Sequence, residues 1–316
     1  MFNSTSTKLQ LLMTTYKEDN PLVSIITLTW NQTQVTCEFL ESTRNFEYKN
    51  YEVLVCDMCS NVDPTATIDA GNYPNTRVLR SDTNLGFTGG NNWGMRQAKG
   101  DYIFIVNNDT EVTPNLLDTL LEPFYLDATI GVTCPKIRFY QNPNLIQYAG
   151  FNPIDLYTGR TSGIGHKEDD KGQHDKSGYT HGAHGCAMMV KKEVIDRVGM
   201  FPEKFFIYYE EWDWSARILK AGYTIFYQAK GLIFHKESVT MGKESAIKVY
   251  YHTRNRILYM RRNTSALQFM FFSAFFIFIS TPKSIAKYAV TKQKEHLKSF
   301  IKGITWNLTK SKYSQV

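Results

Sequence analysis

A chain of 316 residues with 42% hydrophobic content can bury a sizeable core, which excludes a disordered protein and fits one large domain with an appendage or two small domains. The net charge of +6 is modest, and eight lysines against one glutamate lie from Lys283 onward, so the positive excess sits in the tail; this fits a surface-attached tail and speaks against a nucleic-acid groove. Five cysteines make no disulfide framework, and the first residues show no basic region followed by an apolar run and a small-residue cleavage site, so a cytosolic, reducing compartment is expected.

Residues 1–20 are Ser/Thr-rich with little periodicity and read as a loose lead-in. Apolar, β-branched runs then recur at Val23 to Thr29, Tyr51 to Cys56, Thr76 to Leu79 and Tyr102 to Val106. Their starts are separated by about one strand plus one crossover helix, which argues for an α/β fold with a parallel sheet and right-handed crossovers. Apolar residues occupy both parities of each run, as expected for strands covered on both faces. In such a sheet ligands collect at the carboxyl ends of the strands. Those ends carry Trp30-Asn31, Asp57, the turn SDTNLGFTGGNNWG and the stretch NNDTEV. Strand ends also turn, and turns favour Asn, Asp and Gly for their own reasons. Cys56-x-x-Cys59 encloses Asp57 and no thioredoxin-like context follows it, so redox chemistry is disfavoured.

The glycine turn fails the dinucleotide fingerprint, because Gly86, Gly89, Gly90 and Gly94 follow the third strand and have the wrong spacing; a nicotinamide dehydrogenase is thereby disfavoured. No P-loop pattern occurs in the chain. What remains is a backbone able to approach a ligand through Gly86, Gly89 and Gly90, with Asn84, Asn91 and Asn92 nearby. Asp109 ends the fourth run as Asn107-Asn108-Asp109 and suits a hard divalent cation shared with substrate phosphates, or else an Asx turn before a helix near Pro114-Asn115. His235 follows the apolar run GLIF and is a second candidate ligand.

Residues 141–184 show no periodic apolar pattern and read as a long surface loop over the site. His174, His181 and His184 within it and Cys186 just after it match no compact structural zinc spacing. In YYEEWDWSARILKAGY, Glu210, Glu211 and Asp213 precede or open a helix expected from Glu211 to Ala221 and stopped by Gly222. Asp213 either works as a base or pairs with Arg217 at i, i+4. The run ALQFMFFSAFFIFIS, with six phenylalanines, is shorter than the roughly 20 apolar residues of a spanning helix, and Pro282 is expected to interrupt it. A helix at a membrane surface, helped by Arg261, Arg262 and the lysine-rich tail, fits best; a buried docking helix or a homodimer interface is the alternative.

Over about residues 21–262 the chain resembles the GT-A glycosyltransferases of family 2, in particular the bacterial rhamnosyltransferase-like branch. The resemblance is carried by VSIITLTWNQ, EVLVCDMCSNVD, NLGFTGGNNWGMRQAKGDYIFIVNNDTEV, GCAMMVKKEVIDRVGMFPEKFFIYYEEWDWSARILKAGY, IFHKES and YYHTRNRILYMRR, in this order. It implies a Rossmann-like, mostly parallel sheet flanked by helices, with a nucleotide-binding half at 21–110, an acceptor half at 111–262 and a helical, membrane-associating tail at 263–316. It further implies that Thr29, Asn31, Asp57, Asn84, Gly86, Phe87, Gly90, Asn91, Asn107 and Asn108 lie along the nucleotide, with Asp57 on the base. Asp109 and His235 would hold Mg²⁺ or Mn²⁺; the family's first metal acid is an amide here, Asn107. Glu211 stands where the family has its catalytic aspartate, with Asp213 as the competing base. Gly185, Cys186, Glu210, Trp212, Arg254 and Arg256 would face the acceptor, the arginines toward a phosphate. The implied activity is inverting transfer of a sugar, L-rhamnose from dTDP-L-rhamnose or another sugar from a UDP donor, to a lipid-linked or polysaccharide acceptor at the cytoplasmic face of a membrane. A non-catalytic sugar-nucleotide binder is the remaining alternative.

Overall fold

The computed structural model describes residues 20–237 and 245–313; all of the expected lead-in but Asn20 lies outside the described residues. The four β-branched runs are strands β1 (Val23–Thr29), β2 (Tyr51–Asp57), β3 (Thr76–Arg80) and β4 (Tyr102–Val106). They lie side by side in the order β3-β2-β1-β4, all parallel, with Val23 in register with both Tyr51 and Tyr102. Helices α1 (Thr33–Thr43), α2 (Thr65–Ala70) and α3 (Gly86–Gln97) make the crossovers. β1 and β2 are buried along nearly their whole length, as runs apolar on both parities require.

The glycine stretch is not the open turn that its composition suggests. Only Gly86, with φ of +68°, needs glycine for its conformation; Gly89, Gly90 and Gly94 are turns of α3 itself. They let the helix lie close on the sheet, since a Cβ on Gly94 would sit 2.6 Å from Ile26 Cγ2 and one on Gly90 2.7 Å from Met58 Sδ. Gly94→Ala is therefore expected to destabilise the protein by about 2 kcal/mol through overpacking, read as a lower urea midpoint at unchanged slope.

The second half adds β5 (Thr110–Val112), α4 (Leu116–Leu126), β6 (Ile130–Phe139), β7 (Asn142–Tyr148), β8 (Gly178–Thr180), β9 (Ala187–Lys191), α5 (Lys192–Val198), α6 (Glu210–Lys220) and β10 (Thr224–His235). The sheet continues β4-β9-β6-β10-β5. β9 is antiparallel to both β4 and β6, and β10 is parallel to β6, so β6 and β10 again run with the first four strands. The carboxyl ends of all six strands thus share one edge of a mixed sheet. β5 crosses to pair antiparallel with the end of β10, which places Thr110 opposite His235. The segment 141–184 is more ordered than its composition suggests: β7 and β8 lie in it, and Ile146 and Tyr148 are wholly buried. Within β7 the buried residues fall only in the last half of the strand, too few to make a period.

The tail folds back on the domain. Helix α7 (Ala246–Asn263) is followed by α8 (Ala266–Phe275), a π-helical turn (Phe276–Ser280), α9 (Thr281–Val290) and α10 (Lys294–Thr309). Pro282 does not interrupt the apolar run. It sits in the first turn of α9, where its missing N–H costs little, and the π turn carries the helix through. Ala266–Val290 is therefore one 25-residue helix, long and apolar enough to cross a membrane by length and composition, yet 11% of its most apolar window is buried in the protein. Phe272 and Phe276 form that buried stripe, in a second core with Phe205, Trp212, Leu258 and Phe300. Helix α10 lies close against α7 at Gly303, where a Cβ would meet the Tyr250 carbonyl at 2.9 Å. Asn307 Nδ2 locks the pair by donating to the Arg254 carbonyl at 2.9 Å.

Candidate active site

Asp109, just beyond β4, and His235, the last residue of β10, meet because β5 carries the chain from one strand end to the other. His235 Nε2 lies 3.1 Å from Asp109 Oδ1, and both side chains are almost wholly buried. His235 Nδ1 faces Gln147 Oε1 at 2.8 Å, which fixes the ring and turns Nε2 toward the carboxylate. Burial opposes a charge on this imidazole, but Cys186 and Asp109 beside it hold its pKa well above the ordinary histidine value. Asn108 Nδ2 donates to Thr36 Oγ1 at 2.9 Å, and the Asn107 N–H to the Cys186 carbonyl at 2.9 Å. A carboxylate oxygen and a ring nitrogen converging 3.1 Å apart, the latter oriented from behind, fit a hard divalent cation that takes its remaining ligands from phosphate and water. No group of three His, Cys, Asp or Glu able to hold a metal occurs among the described residues, so such a cation depends on its substrate for ligands.

The residues expected along a nucleotide spread over the ends of β1 and β2 and the start of α3. Asp57 is fully buried and already engaged: the Ser60 N–H lies 3.2 Å from each of its oxygens, the Ser60 hydroxyl donates to Oδ1, and Arg80 Nη1 donates to Oδ2 at 2.7 Å. Thr29 Oγ1 accepts from Thr36 Oγ1 at 2.9 Å, and Asn31 Oδ1 accepts from the Asn61 N–H at 2.7 Å. These bonds tie the β1 and β2 ends to one another. Asn84 Oδ1 accepts from the Gly86 N–H at 2.9 Å, shaping the turn into α3, and the Phe87 ring lies 5.9 Å from that of Phe201. Two expected contacts are turned inward: Gly90 packs on Met58, and Asn91 is buried with Nδ2 on the Phe87 carbonyl of its own helix.

The acid cluster enters α6 through a strained segment. Phe206, Tyr208 and Tyr209 have φ of +65°, +70° and +71°, values that bulky L residues rarely adopt. Asn255 of α7 holds this path: its Nδ2 donates to the carbonyls of Phe205, Ile207 and Tyr208 at 3.0, 2.7 and 2.8 Å. His252, one turn before, stacks on Tyr208 at 4.3 Å. Strain that the surroundings must enforce marks a place where geometry matters more than stability. Asn255→Ala leaves these carbonyls short of a donor and is expected to cost about 3 kcal/mol of stability, measured by chemical denaturation.

Glu210 and Glu211 open α6 with no side-chain cap before them, and each has a buried Oε2 with no hydrogen-bond partner. Burial raises the Glu211 pKa to about 7, and burial with the charge of Glu211 pushes that of Glu210 well above the carboxylate range. Asp213 differs. It is fully buried, with Oδ1 bonded to Arg262 Nε at 2.7 Å and Asn263 Nδ2 at 2.8 Å, and Oδ2 to Arg217 Nε at 3.1 Å and Arg262 Nη2 at 3.2 Å. With both oxygens so engaged it fastens α6 to α7 and is not placed to take a proton, which corrects its candidacy as the base.

Two acceptor assignments need the same correction, and a third is narrowed. Trp212 is buried against Phe151, ring centroids 4.6 Å apart, as part of the second core, so it offers no open face. Arg254 donates to the Lys204 and Phe205 carbonyls and lies over the rings of Tyr250, Tyr251 and Trp306, so no phosphate reaches it. Arg256 donates to the Thr158 carbonyl from Nε and Nη2 but still borders a cavity. Gly185 and Cys186 fall in the segment that joins the two acid sites. The Asn107 N–H binds the Cys186 carbonyl, while the Ala183 N–H binds Ser215 Oγ at 3.1 Å, which donates in turn to the Glu211 carbonyl at 2.6 Å. Four residues span at most about 14 Å, so the β4 tip and the first turn of α6 are anchored to neighbouring points on the same edge.

Residues 24–199 match the profile of Glycosyl transferase family 2. The chain belongs to that family. This family 2 chain is 22% identical over 262 residues to the N-acetylglucosaminyl-diphospho-decaprenol L-rhamnosyltransferase of Mycobacterium tuberculosis, covering 76% of this chain and 84% of that one. It is 28% identical to the uncharacterized protein y4gI of Sinorhizobium fredii over 78% of its own length. It is 32% identical to the putative colanic acid biosynthesis glycosyl transferase WcaA of Escherichia coli over 33% of its length. The matched regions span only 28% and 38% of those two relatives. Among solved structures it resembles the mannosyltransferase PcManGT of Pyrobaculum calidifontis, in complex with GDP-Man and Mn²⁺, at a TM-score of 0.57 and 14% identity over 96% of both chains. It also resembles S. aureus TarS 1-349 in complex with UDP-GlcNAc, at a TM-score of 0.56 and 17% identity over 89% of this chain and 81% of that one. The fold is GT-A-like.

Sequence reasoning passed over Gln147, which orients His235, because it lay in a stretch read as loop. It passed over Asn255 too, although the pattern TRNR flags it: a short amide amid arginines in a helix is a poor helix former kept for its side chain.

Proposed function

We propose that this family 2 chain is a metal-dependent, inverting glycosyltransferase that moves a sugar from a nucleotide donor to a hydroxyl of a lipid-linked or polysaccharide acceptor. The observation that carries the reading is the pair of buried, unpartnered carboxyl oxygens at Glu210 and Glu211, held on a strained segment and tethered through Ala183–Cys186 to the β4 tip that carries Asp109. An acceptor hydroxyl is a poor nucleophile until a positioned base takes its proton, and Glu211, with its pKa raised toward neutrality, is suited to that task. Asp109 and His235 would hold Mg²⁺ or Mn²⁺, which when bound neutralises charge gathering on the departing nucleoside diphosphate. With Glu210 kept protonated by burial and the charge of Glu211, Glu211 is the one working base of the pair, which supports a single displacement with inversion at C1.

The ends of β1 and β2 would take the nucleotide, and the donor favoured is dTDP-L-rhamnose, on the likeness to the mycobacterial enzyme. UDP-sugars are the competing donors, because contacts to a base do not select the sugar. The chain would work at a cytoplasmic membrane face. Leu267, Met270, Ile277, Phe278, Ile279 and Val290 are all exposed on the helix Ala266–Val290, and lysines follow it. Since Phe272 and Phe276 pack on the domain, the helix fits a position along the bilayer surface better than a span. The test is a panel of nucleotide sugars with Mg²⁺ or Mn²⁺, following nucleoside diphosphate release. Release from one donor class, stimulated by metal and by acceptor, is expected, with the product anomer inverted by NMR; no release from any donor, or a retained anomer, defeats the proposal.

A further inference from the structure

Between α7 and the tail helices lies a cavity of about 400 Å³ that the transfer chemistry does not use. Lys248, Arg256 and Lys287 line it, and no carboxylate does among the described residues. Neither lysine has an ion-pair partner among the described residues; their ammonium groups lie near the rings of Tyr208 and Tyr288 at 5.9 and 5.7 Å. Hydroxyls of Ser245, Ser280 and Ser284 border the same space. Burial and the neighbouring charge of Lys248 push the pKa of His252, also on its wall, down to about 4, so this imidazole stays neutral beside the cations. Two lysines without an ion-pair partner among the described residues, an arginine held by the Thr158 carbonyl, and the Ser245 and Ser280 hydroxyls suit a polyanion such as phosphate.

Two further features say what carries that anion. Phe276 and Phe300 make the cavity apolar on one side, and Phe276, Ser280, Ser284 and Lys287 belong to the same helix run whose outer face exposes Leu267, Phe271 and Phe278. Tyr209 also lines it and immediately precedes Glu210 and Glu211. The cavity thus adjoins the residue that precedes the acid cluster, and the helix that forms its other wall carries exposed apolar residues along its length.

We propose that this cavity holds the phosphate or diphosphate head of a lipid-linked acceptor, its chain running along the exposed apolar face of Ala266–Val290 and its sugar directed toward Glu211. The inference rests on the acceptor reading above and adds to it a headgroup site. The test is calorimetric titration of the full chain, without donor, with geranylgeranyl diphosphate, geranylgeraniol and inorganic diphosphate. Saturable binding of the lipid diphosphate is expected, with Lys248→Ala and Lys287→Ala each about tenfold weaker, as for loss of one charge-assisted contact. Lys292→Ala and Lys298→Ala, outside the cavity, should bind as the parent does. Geranylgeraniol should bind at least tenfold more weakly than its diphosphate. Equal weakening by the outer lysines, or unchanged affinity in both cavity variants, overturns the site. Inorganic diphosphate binding as tightly as the lipid overturns the lipid half of the proposal. Because binding is read without turnover, the two readings fail separately: unchanged binding in the cavity variants leaves transfer to a soluble acceptor standing, and absent nucleotide release with intact lipid binding removes only the transferase.

Discussion

Glu211→Gln is expected to lower kcat by about 10³-fold while leaving donor affinity near the parent value, because it removes a proton acceptor without changing the shape of the site. Glu211→Asp should retain more activity than Glu211→Gln, since it keeps the carboxylate and moves it by one methylene. The acid dependence follows from the same group. Its pKa is raised to about 7 by burial, and a base works when ionised, so kcat/KM should fall below about pH 7 and level above it. The variant's stability moves the other way. A carboxyl whose folded pKa lies above its unfolded value of 4.5 adds stability that is fully present below 4.5 and lost as pH rises through about 7. Above pH 7 the parent therefore holds a buried, partly unpartnered carboxylate that Glu211→Gln does not, and the variant should melt higher than the parent at pH 8. Catalytic loss with a gain in melting temperature identifies a working acid. A structural acid would lose both, and that outcome would return the role of base to another residue.

Asp213 shows how far sequence could go with this cluster. The spacing to Arg217 announced an ion pair, and the pair is there at 3.1 Å. What spacing could not show was Arg262 and Asn263, some fifty residues on, which take the remaining lone pairs and settle which acid is left without a partner. The first half of the fold was legible because parallel strands buried on both faces leave continuous β-branched runs; β1 and β4 fall on the runs read from sequence, and β2 and β3 extend them by one residue. The second half was less so. β7 and β8 are short strands paired at the edges of β6 and β10, with most of their residues exposed or half-buried, and a period cannot be read from so few positions. The glycines of α3 misled for a different reason. Glycine serves both a ligand-facing turn and a helix pressed against a sheet, and composition alone does not separate the two. The aromatic residues around Glu211 divide similarly: Trp212 and Trp214 fill core, whereas Tyr209 reaches Gly159 and the cavity wall.

Asp109 and His235, the pair proposed to hold the cation, yield the other large effect. Asp109→Ala should abolish metal-stimulated nucleoside diphosphate release, a loss of about 10²- to 10³-fold, comparable to removing one main stabiliser of developing charge. The argument turns on number. Asn107 supplies no carboxylate, so Asp109 is the sole carboxylate of its Asn-Asn-Asp triplet, and no cluster of three metal-binding side chains occurs among the described residues to compensate for its removal. His235 alone, oriented by Gln147, should then bind Mn²⁺ too weakly to hold it without nucleotide. Titration followed by the Mn²⁺ electron paramagnetic resonance signal separates binding from rate: the parent should take up Mn²⁺ tightly only with nucleoside diphosphate present, and Asp109→Ala should take up little under either condition. Gln147→Leu frees the His235 ring without touching a ligand and should weaken Mn²⁺ uptake by about tenfold, as for loss of an orienting outer partner. Asn107→Asp tests the converse. A second carboxylate at the β4 tip should tighten Mn²⁺ in the absence of nucleotide. If Mn²⁺ affinity is instead the same in the parent, Asp109→Ala and Asn107→Asp, the β4 tip holds no metal and the diphosphate must be neutralised by other groups.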